Sequence, residues 1–258
     1  MGFECRHLSK LYPTRQGPVT AVDDVDFRVA HEEFVCIVGP SGCGKTTLLK
    51  LIAGLVAPSS GQVVFDLQAG NGQLRSALVF QDHGLFPWMT VLDNVAFGLE
   101  MRGMARVERH ERARAFIAQV GLAACADRYP HQLSIGMRQR VSIARAFVAD
   151  PQILLMDEPF GSLDALTKLV LQEELLRIWR KHRKVIVYVT HDIEEAVLLG
   201  DRVLVMTGRH GRIREQIAIN LPRPRDLLNR GQPHVTEITW HIWKLLEDEV
   251  RQRVSPAS

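Results

Sequence analysis

Gly39-Pro40-Ser41-Gly42-Cys43-Gly44-Lys45-Thr46, continued by Thr47, fits the pattern G-x-x-x-x-G-K-[ST] of a phosphate-binding loop. The apolar, β-branched run Phe34-Val35-Cys36-Ile37-Val38 stands before it and reads as a buried strand. Thr46 to Ala53 follow with helical apolar spacing, closed by Gly54. Strand, glycine turn and helix form the setting this pattern requires. Glycines let successive backbone N–H groups point into one concavity. The helix N-terminus adds partial positive charge there. Lys45 supplies a full charge for β- and γ-phosphates, and the Thr46 hydroxyl is a ligand for Mg²⁺.

The chain has 258 residues, enough for one large α/β domain or a core with a subdomain. Apolar residues make up 46% and charged residues 24%, the balance of an ordinary globular protein. A net charge of +3 is too small to argue for nucleic acid. No apolar run approaches the roughly 20 residues of a membrane span, and no signal-peptide core opens the chain. A cytoplasmic protein is expected, reaching a membrane only through a partner. Cys5, Cys36, Cys43 and Cys125 lack metal-ligand spacing and suit reduced thiols. Cys43 stands inside the loop, so its alkylation is expected to block nucleotide.

Residues 3–29 read as antiparallel β: Phe3–Arg6, Val19–Val22 and Val25–Val29, with Tyr12 in the turn Leu11-Tyr12-Pro13. The Tyr12 ring either stacks on a base or packs in the hairpin. Gln62–Phe65 and Ala77–Phe80 read as strands, the second ending at Gln81, with a polar loop from Gln68 to Arg75 between them. Gln81 either reaches Mg²⁺ or a water, or caps a loop. Leu85-Phe86-Pro87-Trp88-Met89 is unusually apolar for a loop and is either core or a docking surface. Thr90 to Asp93 fit a capping box before a helix, and residues 105–120 form a second helix ended by Gly121. Ser134 opens a third, stopped by Asp150-Pro151.

Ile153-Leu154-Leu155-Met156 reads as a buried parallel strand with Asp157 and Glu158 at its C-terminal end, where open α/β sheets bind ligands. Residues 167–182 are helical. Val185–Val189 is a buried strand ending at Thr190-His191, Asp192–Leu199 a helix and Arg202–Met206 a strand. The repeated strand–helix order predicts a mainly parallel sheet with helices on its faces. Leu221-Pro222-Arg223-Pro224-Arg225 reads as an extended connector, and residues 235–253 as an amphipathic helix. The phosphate loop, Gln81, Asp157 with Glu158, and His191 together describe a nucleotide-hydrolysis site. In it Asp157 holds Mg²⁺, Glu158 polarises the attacking water, and His191 either meets the γ-phosphate or positions that water.

With these residues in place the sequence resembles the ATP-binding-cassette (ABC) family over nearly its whole length. Gly39 to Thr47 match the Walker A motif, Ile153 to Glu158 Walker B with its catalytic Glu, and Leu133-Ser134-Ile135-Gly136-Met137-Arg138-Gln139-Arg140 the signature that separates ABC ATPases from other P-loop proteins. Gln81 matches the Q-loop, Ser162-Leu163-Asp164 the D-loop, His191 the switch histidine and Tyr12 the adenine-stacking aromatic. The resemblance implies an α/β P-loop (RecA-like) core with an N-terminal antiparallel β subdomain and an inserted α-helical subdomain. It divides the chain into 1–89 (β subdomain and first part of the core), 90–150 (helical subdomain), 151–220 (second part of the core) and 221–258 (connector and C-terminal helix).

It also implies ATP bound by Tyr12, by Gly39, Pro40, Ser41, Gly42, Cys43, Gly44, Lys45, Thr46 and Thr47, and by Gln81. Mg²⁺ is held by Thr46, Gln81 and Asp157, and catalysis falls to Glu158, His191 and Lys45. Two copies pair on ATP, Ser134, Gly136, Met137 and Asp164 acting across the dimer. Two transmembrane permease subunits dock near Leu85, Phe86 and Trp88, at the cytoplasmic face of the inner membrane. A periplasmic or surface solute-binding protein completes the system, and nucleic acid has no part in it.

Gln81, the run Leu85 to Val95 and Leu221 to Arg225 are similar to the nitrate/sulfonate/taurine importer branch. One position departs from the family pattern: Ile135 replaces the first of two glycines after the signature Ser, adding bulk where a partner's ATP docks. Beside the importer ATPase stand a non-transport ABC ATPase of the DNA-repair or translation type, a P-loop kinase, and a regulatory cassette with impaired hydrolysis. The absence of a coiled-coil insertion, a tandem cassette or a basic stripe counts against the second, and the signature with Ser162-Leu163-Asp164 counts against the third.

Overall fold

Period-2 burial in the first thirty residues produces an antiparallel hairpin, and longer apolar runs after it produce buried strands. The computed structural model describes residues 2–66, 75–81, 84–208, 211–225 and 231–254. In chain order these hold β1 (Phe3–Tyr12), β2 (Val19–Val29), β3 (Phe34–Val38), α1 (Lys45–Ile52), β4 (Ser60–Phe65), β5 (Ser76–Val79), α2 (Val91–Glu100) and α3 (Arg106–Gln119). There follow α4 (Ile135–Val148), β6 (Ile153–Asp157), α5 (Ala165–His182), β7 (Val185–Thr190), α6 (Ile193–Leu199), β8 (Arg202–Thr207), β9 (Arg212–Ala218) and α7 (Pro233–Val254). The expected loop from Gln68 to Arg75 lies, Arg75 aside, outside the described residues. No described helix is long and apolar enough to cross a membrane.

The chain divides into two compact units, residues 1–68 with 185–258 and residues 69–184. In the first, β1 pairs antiparallel with β2 on one side and β4 on the other. Tyr12 is the last residue of β1, opposite Val19, and not a turn residue as the Leu-Tyr-Pro sequence implied. A second sheet runs β7-β3-β8-β9, parallel through its first three strands. Every residue of β3 and β7 is buried, which is why both read as unbroken apolar runs. β9 escaped the sequence reading. Its inward-facing positions are Ile213, Glu215 and Ile217, and the glutamate breaks the apolar alternation. The structure resolves the oddity: Glu215 Oε1 meets His241 Nε2 of α7 at 2.9 Å.

In the second unit β5 and β6 pair in parallel, and α2, α3 and α4 pack on one another. Short polar side chains start α2, α4 and α5, whereas α3 follows Ala105 with no side-chain cap. Thr90 Oγ1 accepts from Asp93 N at 3.1 Å, but the reciprocal half of a capping box is absent: the same hydroxyl donates to Asp93 Oδ2 at 2.7 Å. Ser134 caps α4 through Met137 N at 3.3 Å, and Asp164 caps α5 through Thr167 N at 3.0 Å.

Fully buried Asn94 fixes the apolar loop ahead of α2. Its Oδ1 accepts from Phe86 N at 2.8 Å, and its Nδ2 lies 3.0–3.1 Å from the carbonyls of Phe86, Met89 and Thr90. Asn94→Ala removes the side-chain partner of Phe86 N and of the Met89 carbonyl, while the Phe86 and Thr90 carbonyls keep the N–H groups of Met89 and residue 94, and is expected to lower stability by about 2–4 kcal/mol. Chemical denaturation of the two proteins measures it.

Candidate active site

Strand register gathers one group of candidate residues in the first unit. Val38 at the end of β3 lies level with Thr190 of β7 and Val205 of β8. Gly39 and His191 therefore leave the sheet at one end, beside Met206, which β8 still carries. A β-carbon at Gly39 would collide with the Met206 carbonyl oxygen, and one at Gly44 with the Ala21 carbonyl oxygen. Gly42 and Gly44 also hold φ of +76° and +102°, a region that L side chains avoid. Only glycine fits this cradle, and within it the Cys43 N–H donates to the Pro40 carbonyl at 3.3 Å.

Lys45 is 6% exposed, and its Nζ donates to the carbonyls of Gly39 at 2.8 Å and Pro40 at 3.1 Å. The ammonium is thus poised inside the loop, on acceptors it can exchange for phosphate oxygens. Ser41, Gly42 and Thr46 are exposed, and Pro40 and Thr47 half-buried. Cys43 is only 1% exposed, so its thiol is not the accessible group that its place in the loop implied. Tyr12 is half-buried, with Lys10 Nζ 5.2 Å from its ring centroid. Its pairing partner Val19 stands two residues along β2 from Ala21, roughly 7 Å of strand from the carbonyl that touches Gly44. His191 is exposed at the end of β7.

Register gathers a second group of candidate residues within the second unit. Val79 of β5 lies level with Met156 of β6, so Gln81 and the Asp157–Glu158 pair emerge at one end. Glu158 has φ +44°, a strained geometry for a β-carbon residue, and the Gly161 N–H closes the turn onto its carbonyl at 3.0 Å. A methyl group at Gly161 would lie 3.6 Å from Glu158 Oε2 and 3.7 Å from Gln81 Nε2. The two side chains therefore converge on one space, which Gly161 leaves open. Asp157 is half-buried beside them in sequence. The amide oxygen of Gln81 and the carboxylate of Asp157 are hard oxygen donors of the kind that suit Mg²⁺, as is the Thr46 hydroxyl in the first unit.

The signature residues gather at the N-terminus of α4. Ser134 and Ile135 are exposed, Ile135 to 45%, and Gly136 and Met137 half-buried. A β-carbon at Gly136 would lie 3.1 Å from the Thr167 methyl, so α4 and the start of α5 meet there. Asp164 turns its carboxylate onto its own helix, where the amide and hydroxyl of Thr167 hold it below the usual carboxylate range. In the loop fixed by Asn94, Leu85 is half-buried and the Phe86 ring packs against Phe97 with centroids 4.6 Å apart and planes tilted by 56°, while Trp88 stands 71% exposed. The apolar loop is therefore part core and part open surface.

The family described as ABC transporter matches residues 22–161, from β2 to the glycine beside Glu158. The chain belongs to the ABC transporter family. This ABC ATPase is 49% identical to an uncharacterised ABC transporter ATP-binding protein of Methanocaldococcus jannaschii, over 96% of this chain and 92% of that one. It is 46% identical to the nitrate import ATP-binding protein NrtD of Synechocystis, over 86% and 84% of the two chains. It is 45% identical to the bicarbonate transport ATP-binding protein CmpD of Synechocystis, over 85% and 79%. Its fold matches the dimeric structure of the bacterial ABC transporter cassette MJ0796, with a TM-score of 0.73 and 30% identity over 85% of this chain and all of that one. The post-hydrolysis state of MJ0796 bound to ADP and Pi matches with a TM-score of 0.74. The ABC ATPase fold expected from the sequence, with its parallel sheet, antiparallel sheet and helices, is thus the fold observed.

Two glycines of this ABC ATPase were missed in the sequence. Gly161 opens the space between Glu158 and Gln81. A β-carbon at Gly211 would collide with the Ala21 carbonyl oxygen and lie 2.7 Å from that of Cys43, so Gly211 roofs the phosphate loop. Lys45→Ala is expected to weaken ATP binding by about 10- to 100-fold, the worth of a charge-assisted hydrogen bond or two, in equilibrium titration. Iodoacetamide is expected to label Cys43 slowly in the folded protein and readily after denaturation, as peptide mass spectrometry would read.

Proposed function

We propose that this ABC ATPase energises an importer for a small anion of the nitrate, sulfonate or taurine kind. The observation that carries the reading is the joint one of a complete phosphate loop and a converging Glu158–Gln81 pair in a chain 44–46% identical to subunits named for nitrate import and bicarbonate transport. Two copies sandwich two ATP, each phosphate loop facing the partner's signature at Ser134, Gly136 and Met137, with Asp164 beside it. The exposed Trp88 with Phe86 and Leu85 supports docking of two permease subunits there, which would hold the protein peripherally at the cytoplasmic face of the cell membrane. A solute-binding protein would deliver the anion.

The residues divide the work. Lys45 leaves the carbonyls of Gly39 and Pro40 for the β- and γ-phosphate oxygens as the loop N–H groups close on them. Thr46, Gln81 and Asp157 would hold Mg²⁺, which when bound neutralises charge on those oxygens. Glu158, fixed by its turn, accepts a hydrogen bond from the attacking water and orients it in line. His191 donates to the γ-phosphate oxygens, where charge develops as the terminal bond breaks. Tyr12 carries the adenine on its ring.

A regulatory cassette with impaired hydrolysis is the second reading, favoured by the exposure of Ile135 at the first turn of α4. Glu158→Gln distinguishes them, since it leaves ATP bound and unhydrolysed. Its mass in solution is expected to double on addition of ATP and Mg²⁺. A species that binds ATP and stays monomeric favours the regulatory reading, and gain of the dimer on Ile135→Gly then assigns the defect to that side chain.

A further inference from the structure

The turn that carries His191 has an unusual construction. Asp192 caps α6, its Oδ1 accepting from Glu195 N at 3.1 Å. Asp192-Ile193-Glu194-Glu195 therefore has the spacing of a capping box, in which Glu195 would reach back to the Asp192 N–H. Here Asp192 N donates to Thr190 Oγ1 at 3.0 Å, and Thr190 Oγ1 donates in turn to Glu195 Oε2 in a short hydrogen bond. One hydroxyl from the end of β7 has been inserted into the reciprocal half of the box. The second carboxylate oxygen, Oε1, accepts from Tyr188 OH at 2.8 Å.

Glu195 is 2% exposed, and Tyr188 and Thr190 are buried with it. Burial, and the Glu195 carboxylate against it, push the Tyr188 phenol well above its usual value, so it stays a neutral donor. The carboxylate thus gathers both hydroxyls of one strand face, two residues apart. Through Thr190 it also ties the residue before His191 to the residue after it. Nothing of this kind is needed to start a seven-residue helix, for which the Asp192 cap suffices.

We infer that Glu195 is a positioning residue for His191: through Thr190 it fixes the backbone on both sides of that histidine and so sets where the imidazole meets the γ-phosphate. This rests on the reading of His191 given above. A group placed from an inflexible turn delivers its hydrogen bond without reorganising as charge develops, whereas a displacement near 1 Å removes most of the effect.

Steady-state ATP hydrolysis of the full chain tests this in four proteins: unsubstituted, Glu195→Gln, His191→Ala, and the two substitutions combined. Glu195→Gln keeps the shape but reverses one hydrogen bond. It is expected to lower kcat by about 10- to 100-fold with little change in KM for ATP, and to cost nothing further once His191 is Ala. Thr190→Val, which removes only the inserted hydroxyl, is expected to behave alike and carries the test if Glu195→Gln does not fold. Equal fold-losses in the presence and absence of His191 would overturn the inference and leave the His191 reading standing. Unchanged hydrolysis in His191→Ala would overturn both.

Discussion

The level ends of β7, β3 and β8 are the constraint on which the first unit depends. A parallel strand buried on both faces has little room for polar side chains along its length unless each finds a partner. β3 carries no side-chain N or O atom, and β7 carries only the hydroxyls of Tyr188 and Thr190, both met by Glu195. Hydrogen-bonding groups are therefore displaced to the strand ends, and the register decides which of them become neighbours. Because Val38, Thr190 and Val205 are level, the phosphate loop, the histidine turn and the Met206 carbonyl share one edge. β5 and β6 repeat the arrangement in the second unit, with Gln81 and Glu158 beyond the paired Val79 and Met156.

Features set by consecutive residues were legible in the sequence. The phosphate loop, the helix starts at Thr90, Ser134 and Asp192, and the apolar strands each follow from neighbours in the chain. Features set by distant segments were not. Gly39 is required by Met206 and Gly44 by Ala21, so the loop's glycines could be counted but the carbonyls that demand them could not be named. Gly211 is the same case with no motif to flag it, whereas Gly161 matters only for the room it leaves beside Glu158 and Gln81. Cys43 was misjudged because membership of an exposed loop says nothing of where a side chain turns. The strand β9 was hidden by Glu215, whose partner His241 lies 26 residues away.

The apolar run from Leu85 to Met89 shows why sequence left two readings open. Both hold, for different side chains. Asn94, a polar residue buried within α2, satisfies the backbone of the run and fixes Phe86 against Phe97. Trp88 is held outward by the same bonds. Hydrophobicity alone carries no information about that division. The pattern of one buried amide does.

The hydrogen bonds of Lys45 to Gly39 and Pro40 have a consequence for the loop that carries them. A buried ammonium with no acceptor would drag water into the loop or force it open. Here the loop's own carbonyls accept from it, so its charge is met by the same short segment that supplies it. A nucleotide bound as proposed above would find the ammonium already turned inward, and would exchange acceptors on it rather than gather a long side chain from solvent, with the rotamer entropy already lost.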